Sequence, residues 1–262
     1  MIHYKTDSKI YFIPQPSHAW LSGQLAEVWG NEVFGCFEPR SEVCLASAMH
    51  DIGWTEWERS PSLNPKTGWP YDFMNMPTGD HVEIWSRGSR LMSTVSEYAG
   101  MLVAIHNAFL SGIHDYSEDT ETEARLMKEF HEQELRHSKK LRERLISHPY
   151  YNKFTDESIV ERNRKLIGTW DYISLLLCMG NTNKERIEHV PGNDGDMTLS
   201  VEPVEENAAE SVISPWPFKE SEIQVVCDAV ELDDSFSSQD DLDKAFPDAK
   251  RKTLEFTLKA ER

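Results

Sequence analysis

The sequence predicts a mainly α-helical protein, with a helical body over residues 1-180 and a small acidic β-rich appendage over 181-262. Three observations carry that reading. Apolar residues recur at helical spacing in successive segments as far as Gly180. Capping and stop residues punctuate those segments where helices should begin and end. Beyond Asn181 the texture changes to short β-branched runs, "MTLSVEPV", "EIQVVCDAVEL" and "KTLEFTLKA", separated by acidic linkers and Pro.

Taken in order, "KIYFI" is a short β-like run ended by the "PQP" at 14–16, and this N-terminal strand can join the appendage. From Ser17 as N-cap, "HAWLSGQLAEVWG" has helical spacing through Leu21, Leu25 and Val28, and Gly30 stops it. A second helix is expected from Ser41 to Asp51, with Gly53 just past its end. Residues 53–79 are rich in Pro, Gly and aromatics, and a loop of that length inside a compact domain is often functional. Asp80 with Glu83 has capping-box spacing and places His81 in the first turn of a third helix. "EYAGMLVAIHNAFLSG" reads as a buried helix, and residues 120–146 as a long charged one with Leu126, Phe130, Leu141 and Leu145 on one stripe. Thr155 or Asp156 then caps a last helix that ends at Gly180.

The apolar content of 39% is enough for a packed core. A net charge of −18 argues against nucleic acid as a partner, because phosphate binding needs clustered Lys and Arg. From Asn181 onward there are 9 basic and 20 acidic residues, so much of the acidity belongs to the C-terminal part. Cys36, Cys44, Cys178 and Cys227 form no C-x-x-C pair; Cys44 and Cys178 read as small buried thiols. With no signal-like apolar segment at the start and no run long enough to span a bilayer, a cytoplasmic protein without membrane contact is expected. Oligomeric state is left open.

The chemistry lies in polar residues placed where core residues belong. Asp171 has Ile167 four before it and Leu175 four after it, and His106 lies between Leu102 and Phe109. A carboxylate on an apolar helix face costs several kcal/mol unless it is paired or binds metal. His18 and His81 sit at helix starts and His50 and Asp51 at a helix end. A single buried histidine is more often a hydrogen-bonded core residue than a ligand, and the dipeptide His114-Asp115 shows that His-Asp recurs by chance. The joint pattern is what matters: four histidines and two carboxylates supply roughly three ligands to each of two metal ions. Gln15, three before His18, reads either as a substrate amide or as a turn residue. Trp54, Trp57, Tyr71 and Phe73 could wall a substrate pocket or pin the long loop, and His137 is a weaker candidate for substrate contact.

The order His18, His50-Asp51, His81, His106, Asp171 resembles the HD-domain superfamily of metal-dependent phosphohydrolases. "IPQPSHAWLSGQLA", "HDIGWTEWE" and "TGWPYDF" are more closely similar to a bacterial family of unknown function placed within that superfamily. The resemblance covers roughly residues 10–180. It implies an HD-domain-like helical bundle, with His18, His50, Asp51 and Asp171 on a first metal. Asp51 would then bridge to a second metal held by His81 and His106. Many members carry a lysine soon after the pair; this chain has Trp54 and then Glu56.

Three functions compete at this point. The first is hydrolysis of a small phosphorylated or related metabolite, with Asp51 as the catalytic shared ligand of one or two divalent transition-metal ions. Iron or manganese is favoured there, with zinc or nickel as alternatives. The second is oxidative chemistry, as in the helical di-iron oxygenases such as myo-inositol oxygenase, which the ligand count also resembles. The third is a non-catalytic module that binds a metal or a ligand.

Overall fold

In the computed structural model, which describes residues 1–6, 9–204 and 207–261, two short strands open the chain. β1 (Ile2–Lys5) and β2 (Ile10–Ile13) pair antiparallel, and α1 (Gln15–Val28) follows at once. This helix begins two residues before Ser17, because a proline in its first turn has no N–H to leave unsatisfied there. α2 (Arg40–Met49) ends at His50, and a single 3-10 turn spans Ile52–Trp54.

The long loop is less irregular than its composition suggests. It holds α3 (Thr55–Arg59) and a two-residue hairpin, β3 (Leu63–Asn64) with β4 (Trp69–Pro70). α4 (Thr78–Val95) starts ahead of Asp80, so the expected capping box is not made; Glu83 instead meets Arg87 one turn on at 2.9 Å. α5 (Glu97–Gly112) is capped by Ser96, and α6 (Glu121–Ile146) by a capping box between Thr120 and Glu123. α7 (Glu157–Cys178) is capped by the Asp156 carboxylate, which accepts from the Ser158 N–H at 2.9 Å.

The remainder is β5 (Glu185–Pro191), β6 (Asp196–Val204), β7 (Asn207–Ser214), β8 (Glu222–Glu231), α8 (Gln239–Ala245) and β9 (Lys250–Ala260). With β1 and β2 these strands form one seven-stranded sheet in the order β1-β2-β8-β9-β7-β6-β5, antiparallel except for the β7–β9 pair. β2 meets β8 only at its end, through Tyr11 with Glu231 and Phe12 with Val230. Part of the bare edge of β8 is covered by α1. Gln24 accepts from the Val226 N–H and donates to the Val226 carbonyl, and the Ser17 hydroxyl accepts from the Asp228 N–H.

The expected mainly α fold is therefore corrected. About 51% of the described residues are helix and 23% strand, and the sheet curls into a half-barrel rather than hanging from a helical bundle. The reason is packing. Val201, Ile213, Val225, Cys227, Phe256 and Leu258 point inward into the same core as Leu21, Leu25, Trp170, Ile173 and Leu177 of the helices. The acidic character lies on the outer faces and linkers, with Glu202, Glu222 and Glu255 exposed. Cys178 of α7 and Cys227 of β8 are both buried, with their sulfurs 3.9 Å apart.

Candidate metal centre

Two close helix contacts bring the ends of α1 and α2 together with α4. A Cβ on Gly23 would stand 2.4 Å from the Cβ of Ala48, so α1 and α2 approach too closely there for a side chain. The Ser22 and Ser47 hydroxyls meet in the same contact at 2.7 Å. Past the His-Asp pair, a Cβ on Gly53 would lie 2.1 Å from the Ile84 carbonyl and 2.8 Å from the Gly88 nitrogen. Glycine at 53 thus lets the 3-10 turn seat against α4, which sets the direction of Asp51.

His18, His50, Asp51, His106 and Asp171 converge at this junction from α1, the end of α2, α5 and α7, and all are buried. The Nε2 atoms of His18 and His50 both face Asp51 Oδ2, at 3.2 and 3.5 Å, and Asp171 Oδ1, at 3.4 Å each. His106 Nε2 lies 3.1 Å from Asp171 Oδ2. Yet neither nitrogen of His106, nor His50 Nε2, makes an aligned hydrogen bond. His18 Nε2 alone is bonded to a carboxylate, Asp51 Oδ2, at 3.2 Å.

Neighbouring residues fix which ring nitrogen bears the proton. His50 Nδ1 is 2.8 Å from the Ser47 carbonyl, which can only accept, so Nδ1 carries the hydrogen. The Ser174 hydroxyl donates to the Asp171 carbonyl at 2.8 Å, so its oxygen accepts from His18 Nδ1 at 2.7 Å. Both rings therefore turn an Nε2 lone pair toward the carboxylates, the arrangement that metal-binding histidines show. Electron-rich atoms this close require a proton or a cation among them.

The electrostatics agree. Burial alone would depress His50, but the Asp51 and Asp171 carboxylates outweigh it and push the ring up to about 9. Burial would raise Asp51 and Asp171; the surrounding imidazoles, His50 foremost, hold both below the ordinary carboxylate range. A metal-free centre thus keeps a proton on His50. The donor chemistry and spacing also fit a divalent transition ion. Ligands at ~2.1 Å stand roughly 3.0 Å apart in an octahedron and roughly 3.4 Å apart in a tetrahedron.

The other expected site residues fall into two groups. His81 is in neither set of convergent donors; its ring packs between Trp54, at 5.2 Å, and Trp85, at 4.1 Å, and its Nε2 is buried without a partner. Burial, opposed by Asp51, pushes His81 down to about 4. Trp54 is fully buried and joins Met76 and Ile84 in a small apolar cluster, against which Trp57, Tyr71 and Phe73 pack. Gln15 is buried, with its Oε1 unpartnered and its N–H donating to Glu58 Oε2 at 2.8 Å. His137 lies apart, its Nε2 3.1 Å from the Ser93 hydroxyl between α4 and α6. His114 pairs with Asp119 at 2.9 Å, away from the cluster.

Three participants escaped the sequence reading. Ser174 and Ser47 orient the rings, and each sits three residues from a candidate ligand on the same helix, a spacing that could have been noticed. Glu58 is a buried carboxylate pushed up to about 7 by burial, against the pull of the Met1 amine at 2.9 Å. In "TEWER" nothing distinguishes it from its exposed neighbours.

The chain matches no curated protein and no solved structure. The resemblance to the HD superfamily is not supported, because the curled seven-stranded sheet shares one core with the helices and the matching family model is a different one. The expected all-α HD bundle falls with it, whereas the expected likeness to a family of unknown function stands. That model covers residues 1–234, most of the length, and is described as a protein of unknown function. By that match the chain belongs to the DUF3891 family.

Proposed function

We propose that this chain is a hydrolase that depends on one divalent transition-metal ion held by His18, His50, Asp51 and Asp171, with His106 as a fifth donor. The observation that carries the reading is the pair of imidazoles whose Nδ1 atoms are tied to Ser174 and Ser47, leaving two lone pairs directed at two carboxylates. A core histidine satisfied by hydrogen bonds alone would not leave His50 Nε2 and both nitrogens of His106 without partners.

One ion suits the geometry better than two. The convergent groups His18–His50–Asp51 and His50–His106–Asp171 share His50. Its Nδ1 is committed to the Ser47 carbonyl, so a single lone pair remains and the two groups describe one centre. Nitrogen and carboxylate donors suit iron or manganese first, and accommodate zinc or nickel.

When bound, such an ion polarises a substrate oxygen and acidifies a bound water. The chain's own part follows from the carboxylates. Asp51 meets the imidazoles through Oδ2, so Oδ1 is left to accept the proton of the attacking water. The Ser47 and Ser174 contacts hold the rings so that no reorientation is needed during the reaction.

Metal analysis of the freshly purified chain is the first test, with about one equivalent of ion expected and none in the Asp51→Ala variant. A panel of esters, amides, phosphomonoesters and phosphodiesters with manganese, iron, nickel and zinc should then show turnover that a chelator abolishes. A chain that holds its ion and hydrolyses nothing in the panel would overturn the reading.

A further inference from the structure

Beside the convergent donors lies a second set of buried polar atoms that have no partner. Trp54 Nε1, His81 Nε2 and Gln15 Oε1 are all enclosed and all unsatisfied. Trp54 is fully buried and Gln15 is 3% exposed. A buried polar atom without a partner is costly, so these three call for an explanation.

Trp54 and His81 pack on each other beside Asp51, and Gln15 stands on the helix that packs against the same turn. The Trp54 backbone N–H donates to the Asp51 carbonyl at 3.0 Å, and the Trp54 ring packs on His81. Gln15 lies three residues before His18 on α1, which packs against both the Ile52–Trp54 turn and α3. Its N–H reaches Glu58, two residues beyond Glu56 on α3.

Charge decides what such a set can hold. Among the described residues, the cationic side chains that meet Asp51 and Asp171 within 4 Å are histidines, and neither a lysine nor an arginine reaches them. Arg87 is engaged by Glu56 and Glu83, and Arg90 by the buried Glu134. His81 cannot supply the missing cation, because burial keeps its ring neutral down to about pH 4. A divalent ion balances the two carboxylates and leaves nothing over for a phosphate dianion, whose burial unpaired is prohibitive. The three atoms instead offer what a carboxamide needs. The indole N–H donates to a carbonyl, the glutamine oxygen accepts from an N–H, and the neutral imidazole does either.

We propose that Trp54, His81 and Gln15 form the substrate-holding subsite of this centre, and that it takes an uncharged acyl group, a carboxamide or its ester analogue, rather than a phosphate. This rests on the hydrolase reading for the reaction, but not for the binding.

The test is equilibrium binding to the zinc-loaded full chain, followed by ligand-observed NMR, with two probes alike in their ring: acetanilide, a neutral amide, and phenyl phosphate. Acetanilide should bind at least tenfold more tightly. Trp54→Phe and His81→Phe should each weaken acetanilide about tenfold, ~1.4 kcal/mol, while zinc stoichiometry stays at the wild-type value. Should either variant fail to fold by circular dichroism, Gln15→Met supplies an independent arm with the same expected loss. Phenyl phosphate binding as tightly as acetanilide, acetanilide failing to bind, or variants that bind it as wild type does would each overturn the subsite. Loss of zinc from His81→Phe would do so too, by making His81 a ligand. If acetanilide binds as expected and no amide or ester is hydrolysed, the hydrolase reading fails and the subsite stands. Hydrolysis of phosphoesters without acetanilide binding gives the reverse result.

Discussion

Replacing Ser174 by alanine removes a single hydroxyl that touches no metal ligand atom directly, yet it should weaken metal binding 10- to 100-fold. The Ser174 oxygen is the acceptor for His18 Nδ1 at 2.7 Å, and its proton goes to the Asp171 carbonyl at 2.8 Å. In Ser174→Ala the buried Nδ1–H has no acceptor, which costs about 1–3 kcal/mol. The ring can escape that cost by moving its proton to Nε2, but there the proton occupies the position of the metal. Either route penalises the bound state, by ~1.4–2.8 kcal/mol for the stated loss of affinity. The metal-free protein also loses the bond, and for a chain of this size each kcal/mol lowers Tm by roughly 2 °C, so a fall of roughly 2–6 °C is expected. Competition titration of zinc or manganese against a chelator gives the first quantity, and calorimetric melting of the metal-free protein the second. Ser22→Ala is the control: Ser22 is equally buried but bonds the Ser47 hydroxyl and no imidazole. An affinity for Ser174→Ala within twofold of wild type would refute the argument that this hydroxyl sets the ring for metal.

Metal binding should release about one proton per ion at pH 7.5, because His50, pushed up to about 9, holds that proton in the metal-free centre. Apparent affinity should accordingly rise about tenfold per pH unit and level off near pH 9; calorimetry in two buffers of different ionisation enthalpy measures the proton count. The same shift has a sign for stability. A folded value above the unfolded one stabilises the metal-free protein below pH 6.5, and this contribution disappears as pH rises through about 9, as melting against pH should show. Gly53→Ala should lower Tm and metal content together, since its Cβ would strike the Ile84 carbonyl, an overpacking cost of about 1–3 kcal/mol. Gly79→Ala, with open space around its Cβ in the first turn of α4, should leave Tm unchanged or raise it by up to about 2 °C. His114→Ala should leave metal content at the wild-type value, because that ring is already paired with Asp119.

How much of this could be read from the sequence depended on whether the signal was local. α5, α6 and α7 came out within a residue or two of their expected limits, because a Ser, Thr or Asp cap and a 3.6-residue stripe are written in adjacent positions. The convergence of His106 and Asp171 was legible for a related reason, as a polar residue on an otherwise apolar helix face has few other uses. The sheet was not legible as one sheet. Its order places β2 beside β8 and β7 beside β9, pairings that span tens to hundreds of residues and leave no periodic trace. Polar outward-facing residues such as Glu222, Gln224 and Asp228 made β8 look like a solvated appendage, while its other face closed the core. His81 shows the limit from the opposite side. Its position at a helix start suited a ligand, but whether its ring turns to the metal or to Trp54 and Trp85 is a matter of packing.

The centre also has a structural consequence that follows from where its donors originate. Four separate segments, α1, the end of α2, α5 and α7, each contribute donors, and two of those helices, α1 and α7, form the layer on which the sheet packs. Metal-free, the junction holds two buried carboxylates compensated by a proton on His50, an arrangement that weakens as pH rises toward 9. An ion that binds only the folded chain adds RT ln(1 + [ion]/Kd), about 4 kcal/mol at a thousandfold excess over Kd. That gain is delivered where the helices diverge, so local opening of the 50–54 segment should be suppressed more than opening of the sheet. Hydrogen exchange can tell the two apart: amides of the Ile52–Trp54 turn should gain protection on metal addition, while those of the β8–β9 ladder should change little. Equal protection throughout would mean that the ion stabilises the chain globally, and that the junction is not its weak point.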